Sequence, residues 1–175
     1  MKTLKQFFTK HFVIRKNKYN YFPKTKEELQ YIIKQRIEQE GFEVDLNDID
    51  TSSITDMSQL FINCRNFNGD ISTWDVSNVT DMKWMFCGCE NFNQDISSWN
   101  VSKVTNMRHM FNGCEKFNQD ISNWDVYKVT DVNSMFYRCK SFNQDISAWD
   151  VSKVKNLSEM FFNCPIEEKY KPKFT

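Results

Sequence analysis

Residues 67–91 read FNGDISTWDVSNVTDMKWMFCGCEN, and residues 92–116 read FNQDISSWNVSKVTNMRHMFNGCEK. Written one above the other, the two stretches agree at most positions. The register continues in both directions. Tryptophan stands at Trp74, Trp99, Trp124 and Trp149, and cysteine at Cys64, Cys89, Cys114, Cys139 and Cys164. Phenylalanine follows the same period at Phe67, Phe92, Phe117 and Phe142, and again at Phe61, Phe86, Phe111, Phe136 and Phe161. A unit this small cannot bury its own apolar face, so neighbouring units must stack to share a core.

The pattern within a unit suggests its local structure. Met82, Met85, Phe86 and Cys89 fall at helical spacing, with Thr80 or Asp81 as N-cap. Ile71, Trp74, Val76 and Val79 lie in polar, Ser/Thr/Asp-rich sequence that favours short strands. The expected class is α/β: a solenoid of about five units with short parallel strands and short helices. A degenerate first copy, carrying Phe42, Asp45, Leu46, Ile54, Met57, Leu60, Phe61 and Cys64, precedes the clear ones. The units are then 42–66, 67–91, 92–116, 117–141 and 142–164.

Residues 1–41 form a different, basic module. Thr25-Lys26-Glu27-Glu28 is a capping box, and Leu29, Ile32, Ile33, Arg36 and Ile37 make a stripe at helical spacing. With Gly41 as the residue beyond the C-terminus, a helix is predicted at Lys26–Glu40, placed to cap the first unit. Leu4, Phe8 and Phe12 suit a short amphipathic helix docked on the protein's own core. Residues 165–175 read as a tail over the last unit, with Pro165 breaking the pattern.

The unit F-N-Q-D-I-S-x-W-D-V-S-x-V-T-x-M-x-x-M-F-x-x-C resembles the bacterial surface-protein repeat of the BspA-like, leucine-rich-repeat-related proteins, a family of unknown function. The segments Pro23–Leu29 and Asp45–Asp50 also look like that family's entry to its repeats. The resemblance spans roughly residues 21–164. It implies a leucine-rich-repeat-like solenoid. It also implies a relation to surface or lipid-anchored proteins that serve adhesion and protein binding. It carries no catalytic residue over to this chain. The N-terminus lacks a continuous apolar stretch of the kind a secretion signal needs, since Lys10 and His11 interrupt it. A cytoplasmic location is therefore expected, with the cell surface as the alternative that the resemblance implies.

Composition narrows the chemistry. There are 23 basic and 23 acidic residues, so the formal net charge is zero, which argues against a strongly basic nucleic-acid binder. The balance is uneven along the chain, since residues 1–40 carry 10 basic and 4 acidic side chains. No apolar run approaches the roughly 18 residues that span a membrane, so membrane insertion is not expected. There is no phosphate-binding glycine loop, H-E-x-x-H or G-x-S-x-G, and only His11 and His109 are available as bases. Neither an enzyme nor a cofactor is expected.

The repeated polar and sulfur positions have structural readings. Five cysteines at one register suggest buried free thiols, with parallel Cβ vectors that disfavour disulfides. Zinc is not expected, since Cys87-Gly88-Cys89 occurs once. Asp70, Asp95, Asp120 and Asp145, and the second set Asp75, Asn100, Asp125 and Asp150, suit hydrogen bonds to turn N–H groups; calcium bridging is the alternative. Asn68, Asn93, Asn118 and Asn143 suggest an asparagine ladder.

Individuality resides where the repeats differ. Trp84 has Gln59, His109, Ser134 and Glu159 as counterparts, so the fold does not require an aromatic there. Lys83, Trp84, Arg108, His109, Tyr127, Lys128, Tyr137 and Arg138 are the candidate partner-binding residues. The functional expectation is a non-enzymatic protein that binds a protein partner through these positions. The alternatives are a surface or envelope-associated adhesin and an inhibitor or immunity protein for one cognate partner. A monomer, or a weak dimer through an end of the stack, is the expected assembly.

Overall fold

Aspartate and asparagine set the corners of every unit. In the computed structural model, which describes residues 18–174, Asp70, Asp75 and Asp81 each accept a hydrogen bond at Oδ1 from the backbone N–H two residues on, all at 2.9 Å. These Asx turns bend the chain three times in quick succession. The following unit repeats them at Asp95, Asn100 and Asn106. Successive units therefore wind as coils laid one upon the next.

The α/β class and the leucine-rich-repeat-like solenoid with short parallel strands and helices are corrected by this geometry. Among the described residues there is one α-helix, one short 3-10 helix and no β-strand. Among the described residues the coils are joined by isolated parallel bridges, Asp45 to Asp70, Asp56 to Asp81, Asp81 to Asn106, Asn106 to Asp131 and Asp131 to Asn156. The corners at Asp70, Asp75 and Asp81 are too closely spaced for a strand to extend between them.

The expected helix in each unit fails for a different reason. Trp84 and Gly88 have φ of 61° and 75°, in the left-handed region that a right-handed helix cannot cross. The same pair recurs as Gln59 and Asn63, His109 and Gly113, Ser134 and Arg138, and Glu159 and Asn163. The helical spacing of Met82, Met85, Phe86 and Cys89 reflects a chain of turns instead. Met85 N–H donates to Met82 C=O at 3.2 Å and Cys89 N–H to Phe86 C=O at 2.9 Å. The alternate N–H groups of Met82, Trp84, Phe86 and Gly88 donate to Asn106, Arg108, Met110 and Asn112 of the next coil, at 2.7–3.0 Å.

Side chains inside the coils stack in register. The Phe61, Phe86, Phe111, Phe136 and Phe161 rings follow one another at 5.4–5.8 Å. A second column, Phe67, Phe92, Phe117 and Phe142, runs beside it at 5.9–6.0 Å. The indole N–H of each tryptophan at the repeat register, Trp74, Trp99, Trp124 and Trp149, reaches a carbonyl of the preceding unit, as Trp99 does with Ile71 at 3.3 Å and Trp124 with Ile96 at 3.2 Å. Buried aromatic rings of this size add a large share of the apolar stabilisation beside the Ile, Val and Met side chains of the core, and the indole polar handle finds its partner.

Helix α1, Lys26–Glu40, closes the first coil with Leu29, Ile32 and Ile33. Thr25 is its N-cap and accepts from Glu28 N–H at 3.3 Å, while Glu28 returns its bond to Lys24 N–H rather than to Thr25. Arg36 anchors the far end of α1, bonding Asp48 at 2.7 Å and the Asp45 carbonyl at 2.8 Å, with Glu40 alongside. These carboxylates, Glu40 foremost, hold its guanidinium more firmly protonated than usual. At the other end, Ile146 N–H donates to Tyr170 C=O at 3.0 Å, and Ile166 and Pro172 are buried. The expected amphipathic segment with Leu4, Phe8 and Phe12 lies outside the described residues.

Candidate interaction surface

The left-handed turn that replaces the expected helix also aims the variable side chains. Position 84 follows directly on the Asx corner at Asp81, so Lys83 and Trp84 leave the coil together; Arg108 and His109 do the same one unit later. The Trp84 indole and the His109 imidazole stack with centroids 4.1 Å apart and planes inclined by 24°. Both are half-buried. Asn112 Nδ2 lies 3.0 Å from His109 Nδ1. With the amide as donor, Nδ1 is the acceptor and the ring proton resides on Nε2. Burial, and then the Arg108 charge beside it, pushes the His109 pKa down, against a smaller opposing pull from Asp131 and Glu159.

Cations flank this stack. Lys83 pairs with Asp81 at 3.3 Å and Arg108 with Asp131 at 3.9 Å. Both pairs are partly exposed and contribute little to stability, which leaves the cations free to exchange partners. Tyr137 and Arg138 lie further along the same turn, two units on, with the guanidinium 5.2 Å from the ring centroid. Tyr127 and Lys128 stand elsewhere, at the corner set by Asp125. Lys153 covers the Tyr127 ring at 3.7 Å, and Lys128 is exposed. The eight candidate residues thus divide: six share one side of the stack and two belong to another corner.

Two apolar side chains on the first side escaped the sequence reading. Phe162 stacks on Tyr137 at 5.0 Å and is 49% exposed, and Ile62 occupies the same register in the first unit at 38%. The column Ile62, Cys87, Asn112, Tyr137 and Phe162 varies as freely as that of Trp84. That variability was the available signal, obscured because Cys87 reads as a second cysteine beside the invariant register.

The repeated polar positions are occupied by structure. Asn68, Asn93 and Asn118 each accept at Oδ1 from the N–H of the asparagine one unit on, at 2.9 Å. Asp95 and Asp120 accept from Ser97 and Ser122 at 2.9 Å, and these serine bonds hold both carboxyls below the usual range. Among the described residues no three His, Cys, Asp or Glu side chains gather as a metal site would need. Cys89, Cys114 and Cys139 are free, buried, and donate to Phe61, Phe86 and Phe111 carbonyls at 2.9–3.0 Å. Desolvation raises all three thiol pKa values, leaving them unreactive.

A family model described as "Mycoplasma protein of unknown function, DUF285" matches residues 28–126 and again residues 97–171. No curated protein and no solved structure matches the chain.

Proposed function

Since the chain belongs to the Mycoplasma family of unknown function DUF285, we propose that it is a non-enzymatic repeat protein that holds a protein partner against the Trp84–His109 side. The kinship to BspA-like surface repeats belongs to this proposal as well. The observation that carries it is the stacked Trp84–His109 pair, 4.1 Å apart at a register where other units carry Gln59, Ser134 and Glu159. An aromatic pair that the fold does not require, flanked by Lys83 and Arg108, has the composition of a binding hot spot. Tyr137 and Arg138 extend it.

Trp84→Gln and Arg108→Asn test the reading, because each introduces the residue that another unit already carries at that place. A protein captured by the wild-type chain from extracts of its native cells is purified and titrated against all three forms. The reading expects at least a tenfold loss for each variant, with unchanged circular dichroism. Equal affinity for all three forms rejects this side as the binding surface.

A further inference from the structure

Every coil but the last is closed by the one after it. In the first four units the alternate N–H groups on the turn side all donate forward, as Val132, Ser134, Phe136 and Arg138 do to Asn156, Ser158, Met160 and Phe162 at 2.8–2.9 Å. In the last unit the equivalent N–H groups of Leu157, Glu159, Phe161 and Asn163 find no backbone acceptor among the described residues. The opposite end shows the complement. There the carbonyls of Asp56, Ser58, Leu60 and Ile62, which match the acceptors of every later unit, receive no backbone N–H among the described residues. One end of the stack is thus a row of donors and the other a row of acceptors, with one spacing.

Apolar exposure follows the same division. Leu157 is 43% exposed, whereas its counterparts Met57, Met82 and Met107 are fully buried. Phe162 and Ile62 are the exposed termini of a single side-chain column. The C-terminal tail covers only part of the last coil: Lys171 sits 5.6 Å from the Phe161 ring centroid, and Phe162 stays open. At the first coil, α1 covers Ser58 through Lys26, at 2.6 Å, but Gln59, Ile62 and Asn63 remain exposed.

We propose that two copies of this chain join head to tail, the last coil of one against the first coil of the next. The Phe161 and Asn163 N–H groups meet the Leu60 and Ile62 carbonyls, and Phe162 packs on Ile62, continuing the register of the coils along this edge alone, since α1 and the C-terminal tail cover other parts of the two end coils. Two donor rows cannot satisfy each other, so pairing of like ends is disfavoured. The contact is heterologous and leaves one free end of each kind, so it propagates into short filaments rather than stopping at a dimer. It uses neither Trp84 nor His109, and it meets the partner surface above only at Tyr137, on which Phe162 stacks.

Sedimentation velocity of the full chain over a concentration series tests it. The wild type is expected to pass from monomer to dimer and longer species as concentration rises. Phe162→Lys blocks one end and Ile62→Lys the other, and both side chains are exposed enough for lysine to leave folding intact, which circular dichroism verifies. Each variant alone is expected to stay monomeric. An equimolar mixture retains one good end of each kind and is expected to form dimers that grow no further. A wild type that stays monomeric throughout, an Ile62→Lys chain that still self-associates, or a mixture that stays monomeric overturns the proposal.

Discussion

Trp84 and His109 occupy the same place in consecutive coils and both adopt left-handed backbone, at φ of 61° and 54°, with their rings 4.1 Å apart. A protonated imidazole in that position would face Arg108 and lose hydration. His109 is therefore expected to titrate below the ordinary histidine value of 6.5. The unfolded chain then binds more protons than the folded one as pH falls through 6.5 towards the folded pKa, so stability declines across that interval. Histidine ring resonances followed by NMR against pH report the midpoint, with His109→Ser assigning the signal. A midpoint at or above 6.5 contradicts the desolvated stack.

Left-handed glycines should differ in their tolerance of a methyl group. At Gly113 a Cβ would meet its nearest neighbour at 3.7 Å, so Gly113→Ala carries only the backbone cost, about 1–2 kcal/mol. At Gly88 it would come within 2.8 Å of the Asn63 side-chain oxygen and 3.3 Å of the Asn63 Cα, whose backbone cannot turn aside, so Gly88→Ala should cost more. Urea midpoints of the two variants give the order, and equal midpoints would count against the close approach.

The Asx corners predict a distinction between amide and alkyl replacements. Asp95→Asn should retain neutral-pH stability, because Asn100 already holds a corner by accepting from Ser102 N–H at 3.2 Å. Asp95→Ala loses the bond to Ser97, at a cost of about 0.5 kcal/mol. The wild-type carboxyl is held below its usual range, chiefly by Ser97. Its contribution is complete above the unfolded pKa and disappears as pH falls through the folded one. Asp95→Asn should thus reduce the acid sensitivity of the thermal midpoint, and an unchanged acid profile would refute the assignment.

Thiol reactivity should follow depth. Cys64, Cys87 and Cys164 are half-buried and Cys89, Cys114 and Cys139 are buried; desolvation pushes up the pKa of all six, furthest in the second group. Iodoacetamide at pH 8 followed by mass spectrometry should label the first group in the native protein and the second only after unfolding. Native labelling at Cys114 would show that the coils open readily.

Much of the organisation was legible. Trp74, Phe67 and Cys89 recur with a fixed interval, and only stacking of units lets identical side chains meet in columns. The cap helix was legible from Thr25 and Leu29, since capping and apolar spacing are local properties. The side of the coil used by Trp84 was legible in part: substitution by Gln, His, Ser and Glu marked it as dispensable to the fold. Ile62 and Phe162 were not found, because their exposure arises only at the two ends of the stack.

By itself the sequence determined the period, the capped end, the aromatic columns and the polar ladders. All of these depend on which residues recur and at what interval. Only the tertiary structure decided the backbone that carries them. Met82, Met85, Phe86 and Cys89 satisfy helical spacing in one dimension, yet Trp84 and Gly88 adopt positive φ. What holds them there is the carbonyl row of Arg108 and Asn112 in the next coil. A hydrogen bond between residues 24 apart settles the sign of φ, and no local pattern contains that partner.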